Sequence, residues 1–203
     1  SDIFTLETLA EGTVTNSTST EGTGGTLPSG SSNNIRWEIT SPNTARGVFS
    51  VIVRQGNDTT KSKSVLESFT NVSLDPKSSN YIARIIGDST TNLLGAGSSD
   101  PYLQSSGSYP NASRYIRVKE VNVKTPDYFD NPAYTGSIPV AQSGSFGDAV
   151  GEITGAGDNF YQNINNTDTQ GLAGSDYIDA INLLANQDEY VYNIITTPGL
   201  MYS

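Results

Sequence analysis

The chain has 203 residues, 34% of them hydrophobic, and 21 Asp plus Glu against 11 Lys plus Arg give a net charge of −10. That length suits one sizeable domain or two small ones, and the low apolar share points to many turns, long surface loops or burial against other subunits. There is no Cys and no His, which excludes disulfides, Cys/His zinc sites and His-based triads, while the acidic balance opposes non-specific binding to nucleic acid.

In chain order, Phe4-Thr5-Leu6-Glu7-Thr8-Leu9 alternates and predicts a short strand. Residues 16–34 are almost all Ser, Thr, Gly and Asn, a loop by composition. Ile35, Trp37 and Ile39 alternate with Asn34, Arg36 and Glu38, which predicts a half-buried strand with Trp37, the single tryptophan, packed in the core. Pro42 to Gly47 reads as a turn. Phe49, Val51 and Val53 then alternate with Ser50, Ile52 and Arg54 in a stronger strand. Residues 55–60 make a polar connection, and Lys63 to Phe69 returns as the second arm of a hairpin. Ser78 to Gly87 predicts a short helix, with Ser78 or Ser79 as N-cap, Gly87 as its stop, and Tyr81, Ile82, Ile85 and Ile86 on the buried face.

Residues 88–113 are again rich in Ser, Gly and Asn, with Asp100-Pro101 and Tyr109-Pro110 as turn signals. Tyr115 to Val123 alternates strictly and carries charge on both faces, so it predicts a strand at an edge or with one solvated side. Residues 124–170 have little periodicity; a loop that long fits best if it covers the sheet or lies on a neighbouring subunit. Ser175 is a good N-cap, and Tyr177, Ala180, Ile181 and Leu184 fall on one apolar face of a helix over Tyr177–Ala185. Tyr190 to Thr196, aromatic and β-branched, predicts a strand that Pro198-Gly199 ends. Helix and strand together predict a crossover unit whose strand joins a covered sheet. Ser1 stands where a Met would open a chain, and Leu200-Met201-Tyr202-Ser203 follows the last strand and turn directly, so both ends read as cut from something longer. No basic segment leading into an apolar stretch opens the chain, and no run of about 18 apolar residues offers a membrane span.

Catalytic and binding patterns are sparse. Asp127 and Asp130 flank Tyr128-Phe129, and Asp188-Glu189 precedes the last strand. A glycosidase needs two carboxylates facing each other across a sugar from separate elements, and nothing in the pattern places either pair so. Gly22-Thr23-Gly24-Gly25 and Gly155-Ala156-Gly157 match neither a phosphate-binding loop nor a dinucleotide fingerprint. Asp158-Asn159 lacks the ligand spacing of a calcium loop. Asp176 reads as a partner of the helix dipole rather than as a ligand. The expectation is a chain with no catalytic, cofactor-binding or metal-binding residues, and so no enzyme.

Two blocks carry a family resemblance. One is Gly171-Leu172-Ala173-Gly174-Ser175-Asp176, the helix Tyr177–Ala185, and Ile194–Leu200 ending in Thr-Pro-Gly-Leu. The other is the strand of type F-x-V-x-V at Phe49, Val51 and Val53, the strand with Glu67-Ser68-Phe69, the run Asn71-Val72-Ser73-Leu74-Asp75-Pro76, and a helix carrying Asn80-Tyr81. In this order the blocks resemble the core of tail sheath proteins of contractile-tailed bacteriophages, over roughly 35–87 and 171–202. The resemblance implies an α+β (α/β-like) sheath core: a mixed sheet, a few short helices and long Ser/Gly/Asn-rich loops. Residues 1–203 would be part of one such core domain, here a fragment, with 16–34, 88–113 and 124–170 as insertions or a small subdomain.

The implied function is a structural virion subunit, made in the host bacterial cytoplasm. It would polymerise as stacked hexameric rings around the tail tube and contract to drive the tube through the host envelope for genome ejection. Its partners would be neighbouring sheath subunits, the tail tube protein, and baseplate and tail terminator proteins, with no nucleic acid and no membrane span. Terminal strands exchanged between subunits hold such a mesh together, and those extensions would lie outside this chain. The alternative is an all-β receptor-binding or adhesin module, which predicts even strand spacing and no helices. A phage-derived injection machine fits the same resemblance.

Overall fold

A computed structural model describes residues 2–10, 35–98, 101–146 and 176–196. The fold is α+β, with antiparallel strand ladders and few helices among the described residues. Residues 2–10, 35–89 and 107–146 belong to one compact unit, and 90–98, 101–106 and 176–196 to a second.

The first unit holds a four-stranded and a two-stranded sheet. Strands β1 (Phe4–Thr8), β2 (Ile35–Asn43), β3 (Val48–Gln55) and β4 (Val65–Ser73) lie near where alternation places them. The predicted Pro42–Gly47 turn is shorter: β2 runs on to Asn43 through a register shift after Thr40, where Ser41 has φ 50°. Pro42 sits in that irregularity, a place where its missing amide costs no ladder bond. The returning arm starts two residues later than predicted and runs on to Ser73, pairing antiparallel with β3.

Helix α1 (Ile82–Ile86) is shorter than the Ser78–Gly87 pattern suggested, and its N-cap is Tyr81, with no side-chain cap. The hydroxyl of Ser78 accepts from the amide of Asn80 and closes a turn instead of capping the helix. Gly87 is the stop, at φ 106°, and a Cβ there would come within 2.3 Å of the Cα of Asn111. Tyr81, Ile82 and Ile86 are buried as expected, but Ala83 takes a buried place and Ile85 is half-buried.

The hairpin β5 (Thr90–Leu94) and β6 (Tyr102–Ser106) belongs to the second unit and forms where composition read as loop. Strand β7 (Ile116–Val121) returns to the first unit and pairs with β1. Two 3₁₀ turns, Tyr128–Asp130 and Pro132–Gly136, follow. Strand β8 (Gln142–Ser145) then extends the four-stranded sheet, in order β4-β3-β2-β8. Trp37 lies opposite Gly144, where a Cβ would meet the indole at 2.9 Å. The bare glycine lets a half-buried ring lie on the ladder, a substitute for the packing a side chain would give. Of the predicted 124–170 loop, 147–170 lies outside the described residues.

One core joins both sheets of this unit with α1. Phe49, Val51, Val53, Val72, Leu74, Ile82, Ile86, Ile116 and Val118 are each at most 2% exposed. Phe4 of β1 stacks on Phe49 of β3, ring centroids 5.6 Å apart. Fully burying each such side chain contributes about 1.5–3 kcal/mol. The run Asn71–Pro76 closes this core: Val72 and Leu74 point inward, the Leu74 carbonyl accepts from the amide of Thr125, and Asn71 takes φ 56°.

Helix α2 (Asp176–Leu184) ends one residue before its predicted limit, and its predicted N-cap Ser175 lies outside the described residues. Its predicted apolar face is only partly covered: Tyr177 and Leu184 are half-buried, Ala180 and Ile181 exposed. The largest departure follows it. Residues 190–196 form no strand. The chain turns back after the helix, with the amide of Tyr190 donating to the carbonyl of Asn186 at 3.0 Å and the Tyr192 hydroxyl to that of Leu184 at 2.6 Å. A strand needs a partner ladder, and this segment has none among the described residues, so its β-propensity alone does not make it one. The crossover unit expected here is therefore absent among the described residues.

Candidate functional site

The polar edge of β2 and β3 holds a buried ion cluster. Register places Arg36 directly opposite Arg54, and each is 1% exposed. Two like charges across a ladder oppose pairing. Asp58, from the loop after β3 and 5% exposed, lies against both. Arg54 grips it with two hydrogen bonds, Nε to Oδ2 at 2.8 Å and Nη2 to Oδ1 at 2.9 Å, and Nε of Arg36 lies 3.7 Å from Oδ1. Arg54 also donates to Glu38 at 3.1 Å and to the Thr59 carbonyl at 3.2 Å, while Lys63 reaches Glu38 at 2.6 Å. The alternation had set Arg36 and Glu38 on the polar side of β2, and the 55–60 loop read only as a connection. Two arginines at facing positions of apolar strands, with an acid in the loop that follows the second strand, are the signal that reading missed. The cluster fixes the loop to the sheet.

Glu67, part of the Glu-x-aromatic match, tethers the entry to β7. It accepts from the Ser113 hydroxyl at 2.5 Å and the Arg114 amide at 2.9 Å. Asp75, of the Leu-Asp-Pro match, accepts from the amides of Lys77 at 2.8 Å and Asp127 at 3.2 Å. Asn80-Tyr81 leads into α1, where Tyr81 packs edge-on against Tyr109 and the Arg84 guanidinium lies 5.2 Å from that ring. Burial pushes the Tyr81 phenol above its ordinary range, with Tyr109 and Asp88 adding to the effect. These residues thus do framework work.

The acid pair Asp127 and Asp130 lies at a polar pocket of about 450 Å³, also lined by Arg46, Asn71 and Asp75. Asp127 is in the left-handed region at φ 53° and is bonded by Lys77 at 2.6 Å, a contact that raises the Lys77 ammonium above its ordinary range. Phe129 beside it is exposed. Asp188 and Glu189 are exposed in the turn after α2, where the amide of Asp188 donates to the Asn186 side chain at 3.2 Å. Asp127 of the first pair is thus engaged with a cation, and the second pair stands open to solvent. Asp176 is the first residue of α2. Gly22 to Gly25, Gly155 to Gly157, Asp158 and Asn159 lie outside the described residues. Among the described residues no group of three or more acids is gathered as a metal site requires, and no helix is long and apolar enough to cross a membrane.

Two apolar features remain. In the first unit a groove of about 600 Å³ is lined by residues 2–6 at the start of β1, by Trp37 and Ile39 of β2, and by Ile138, Pro139 and Val140. In the second unit α2 and the chain after it expose Ile178 (61%), Val191 (94%) and Ile194 (81%), with Ile181, Tyr192 and Ile195 also exposed. Contiguous exposed apolar stretches are a general feature of interaction surfaces. No family model matches the chain, and no curated protein or solved structure matches it.

Proposed function

We propose that the chain is a structural subunit of a contractile phage tail sheath, which polymerises in hexameric rings around a tail tube and contracts to drive the tube through the host envelope. The observation that carries this reading is the apolar exposure concentrated in Ile178–Ile195, on a chain of net charge −10. Covering five or six such side chains is worth on the order of 10 kcal/mol, comparable with the 4–15 kcal/mol that association costs. A contact with another subunit that covers them together is therefore affordable, whereas single contacts are not.

The block order F-x-V-x-V, Glu-x-aromatic, Asn-x-Ser-Leu-Asp-Pro and Asn-Tyr supports the same reading, since those residues build one continuous framework from β3 through α1. Helices α1 and α2 are not what the all-β adhesin alternative predicts. A helical sheath needs heterologous contacts, in which one patch meets a different patch on the next subunit. It also needs two packings of the same subunit to be stable, a property of interfaces rather than of an active site.

The proposed partners are neighbouring subunits, the tail tube protein, and baseplate and tail terminator proteins, within the virion. Sedimentation velocity of the complete gene product over rising concentration tests the reading. Growth into large polymers is expected, and a single small species at every concentration would overturn it.

A further inference from the structure

Val72 and Leu74 are buried, and the residues alternating with them, Asn71, Ser73 and Asp75, all line the polar pocket at the acid pair. Asn80 lines it too, held to the same edge by its carbonyl, which accepts from the Ser73 amide at 2.8 Å. At about 450 Å³ the pocket has the size of a small-ligand site, about 300–1,000 Å³. Its walls come from separate stretches of chain and are tied together. The amide of Asp127 donates to the Asp75 carboxylate at 3.2 Å, and Lys77 bonds the Asp127 carboxylate at 2.6 Å. The buried Tyr128 ring lies against Gly47, where a Cβ would meet it at 2.5 Å, and its hydroxyl donates to the Thr44 carbonyl. These contacts bring Arg46, in the turn between β2 and β3, to the same pocket as the 128–130 turn. Among the described residues the Arg46 guanidinium, the side-chain amides of Asn71 and Asn80 and the Asp130 carboxylate make no hydrogen bond or ion pair. Phe129 lines the pocket as well and is 77% exposed.

We propose that this pocket binds a neutral saccharide. Its unengaged groups are of mixed kind: a guanidinium and two amides offer N–H donors, while a carboxylate and the two amide oxygens accept. A sugar hydroxyl donates and accepts at once, so a polyol uses both kinds together. An anion would use only the donors, and a cation only the acceptors. The local charge opposes an anion, since Arg46 and Lys77 stand against three carboxylates, Asp75, Asp127 and Asp130, on a chain of net charge −10. The acids do not make a cation site either: Lys77 holds Asp127, and among the described residues no three acids are grouped as a metal requires. Phe129 adds what hydrogen bonds do not supply, an exposed flat apolar surface for the C–H face of a pyranose ring. Each hydrogen bond at an exposed pocket replaces one to water at small net gain, so the ring face carries the largest single share of the affinity. The proposal goes beyond the assembly reading and holds whether or not the chain polymerises.

The 203-residue chain is titrated with maltotriose, lactose and chitotriose in turn while its backbone amide NMR signals are followed. With at least one of them, saturable shifts in the millimolar range are expected, confined to residues 46–48, 71–80 and 127–130. Phe129→Ala should weaken that binding about tenfold, and Phe129→Tyr, which keeps the ring, should retain it. At 77% exposure neither change disturbs the fold. Calcium chloride and inorganic phosphate, titrated separately, should give no saturable shift at these amides. Four results would overturn the proposal: no saturable shift with any of the sugars, shifts centred elsewhere in the chain, equal binding by Phe129→Ala, or saturable binding of calcium or phosphate at the same amides.

Discussion

The four-stranded sheet and the segment 176–196 place their β-branched and aromatic residues in opposite ways. In the sheet, Val51, Val53 and Val72 are fully buried, and even two arginines are sealed in with their acid. In the segment, Val191 is 94% exposed and Ile194 81%. Composition is similar in the two; what differs is whether a partner strand is at hand. The sheet strands are paired and covered, and the segment has no strand partner among the described residues.

The sharpest way to break this contrast is to remove the charge that makes the sheet region self-sufficient. Asp58→Ala leaves Arg36 and Arg54 facing each other at 1% exposure without the carboxylate between them. Removing one partner of a buried ion cluster costs about 3–5 kcal/mol, and urea unfolding should show a loss of that size. Gly87→Ala comes next. At φ 106°, with its new Cβ directed at the Asn111 backbone, it should destabilise by about 2–3 kcal/mol, since strain of this kind alone costs on the order of 1–3. In the segment the same assay should barely respond: Ile194→Asp, at an 81% exposed position, should change unfolding by no more than about 0.5 kcal/mol. The same variant should abolish concentration-dependent association. Loss of stability without loss of association would reverse the assignment of the two regions.

The smallest effect is alkaline. Tyr81 is held protonated above its ordinary 10.0 by burial, and Lys77 above 10.5 by its hydrogen bond and attraction to Asp127. Both folded values are raised, so the folded state keeps these protons longer than the unfolded chain does. Their contribution is full below about pH 10 and is lost as pH climbs through the raised values. Stability measured from pH 9 to 12 should therefore bend downward above about pH 10, less so in Tyr81→Phe. Lys77→Gln should change it little, because an exposed pair is well screened.

Much of the framework is legible in the sequence. Strict alternation placed β2, β3 and β7 and the second hairpin arm, because a face turned to a core must repeat every second residue. Gly87 was legible as a stop because a left-handed turn demands it. The Arg36, Arg54 and Asp58 cluster was not, since a charge on the polar side of an alternating strand looks the same whether that side meets water or a loop. Strand β8, Gln142-Ser143-Gly144-Ser145, has no apolar period and forms through its ladder to β2. Tyr190–Thr196 misled in the other direction: its propensity is that of a strand, but propensity supplies no partner. The groove beside β1 was invisible because it is made by residues far apart in the chain.

Negative-stain electron microscopy of the complete gene product, purified alone and concentrated, tests the central claim most directly. The account predicts striated hollow tubes built from stacked six-fold rings. Uniform small particles that do not grow with concentration would contradict it.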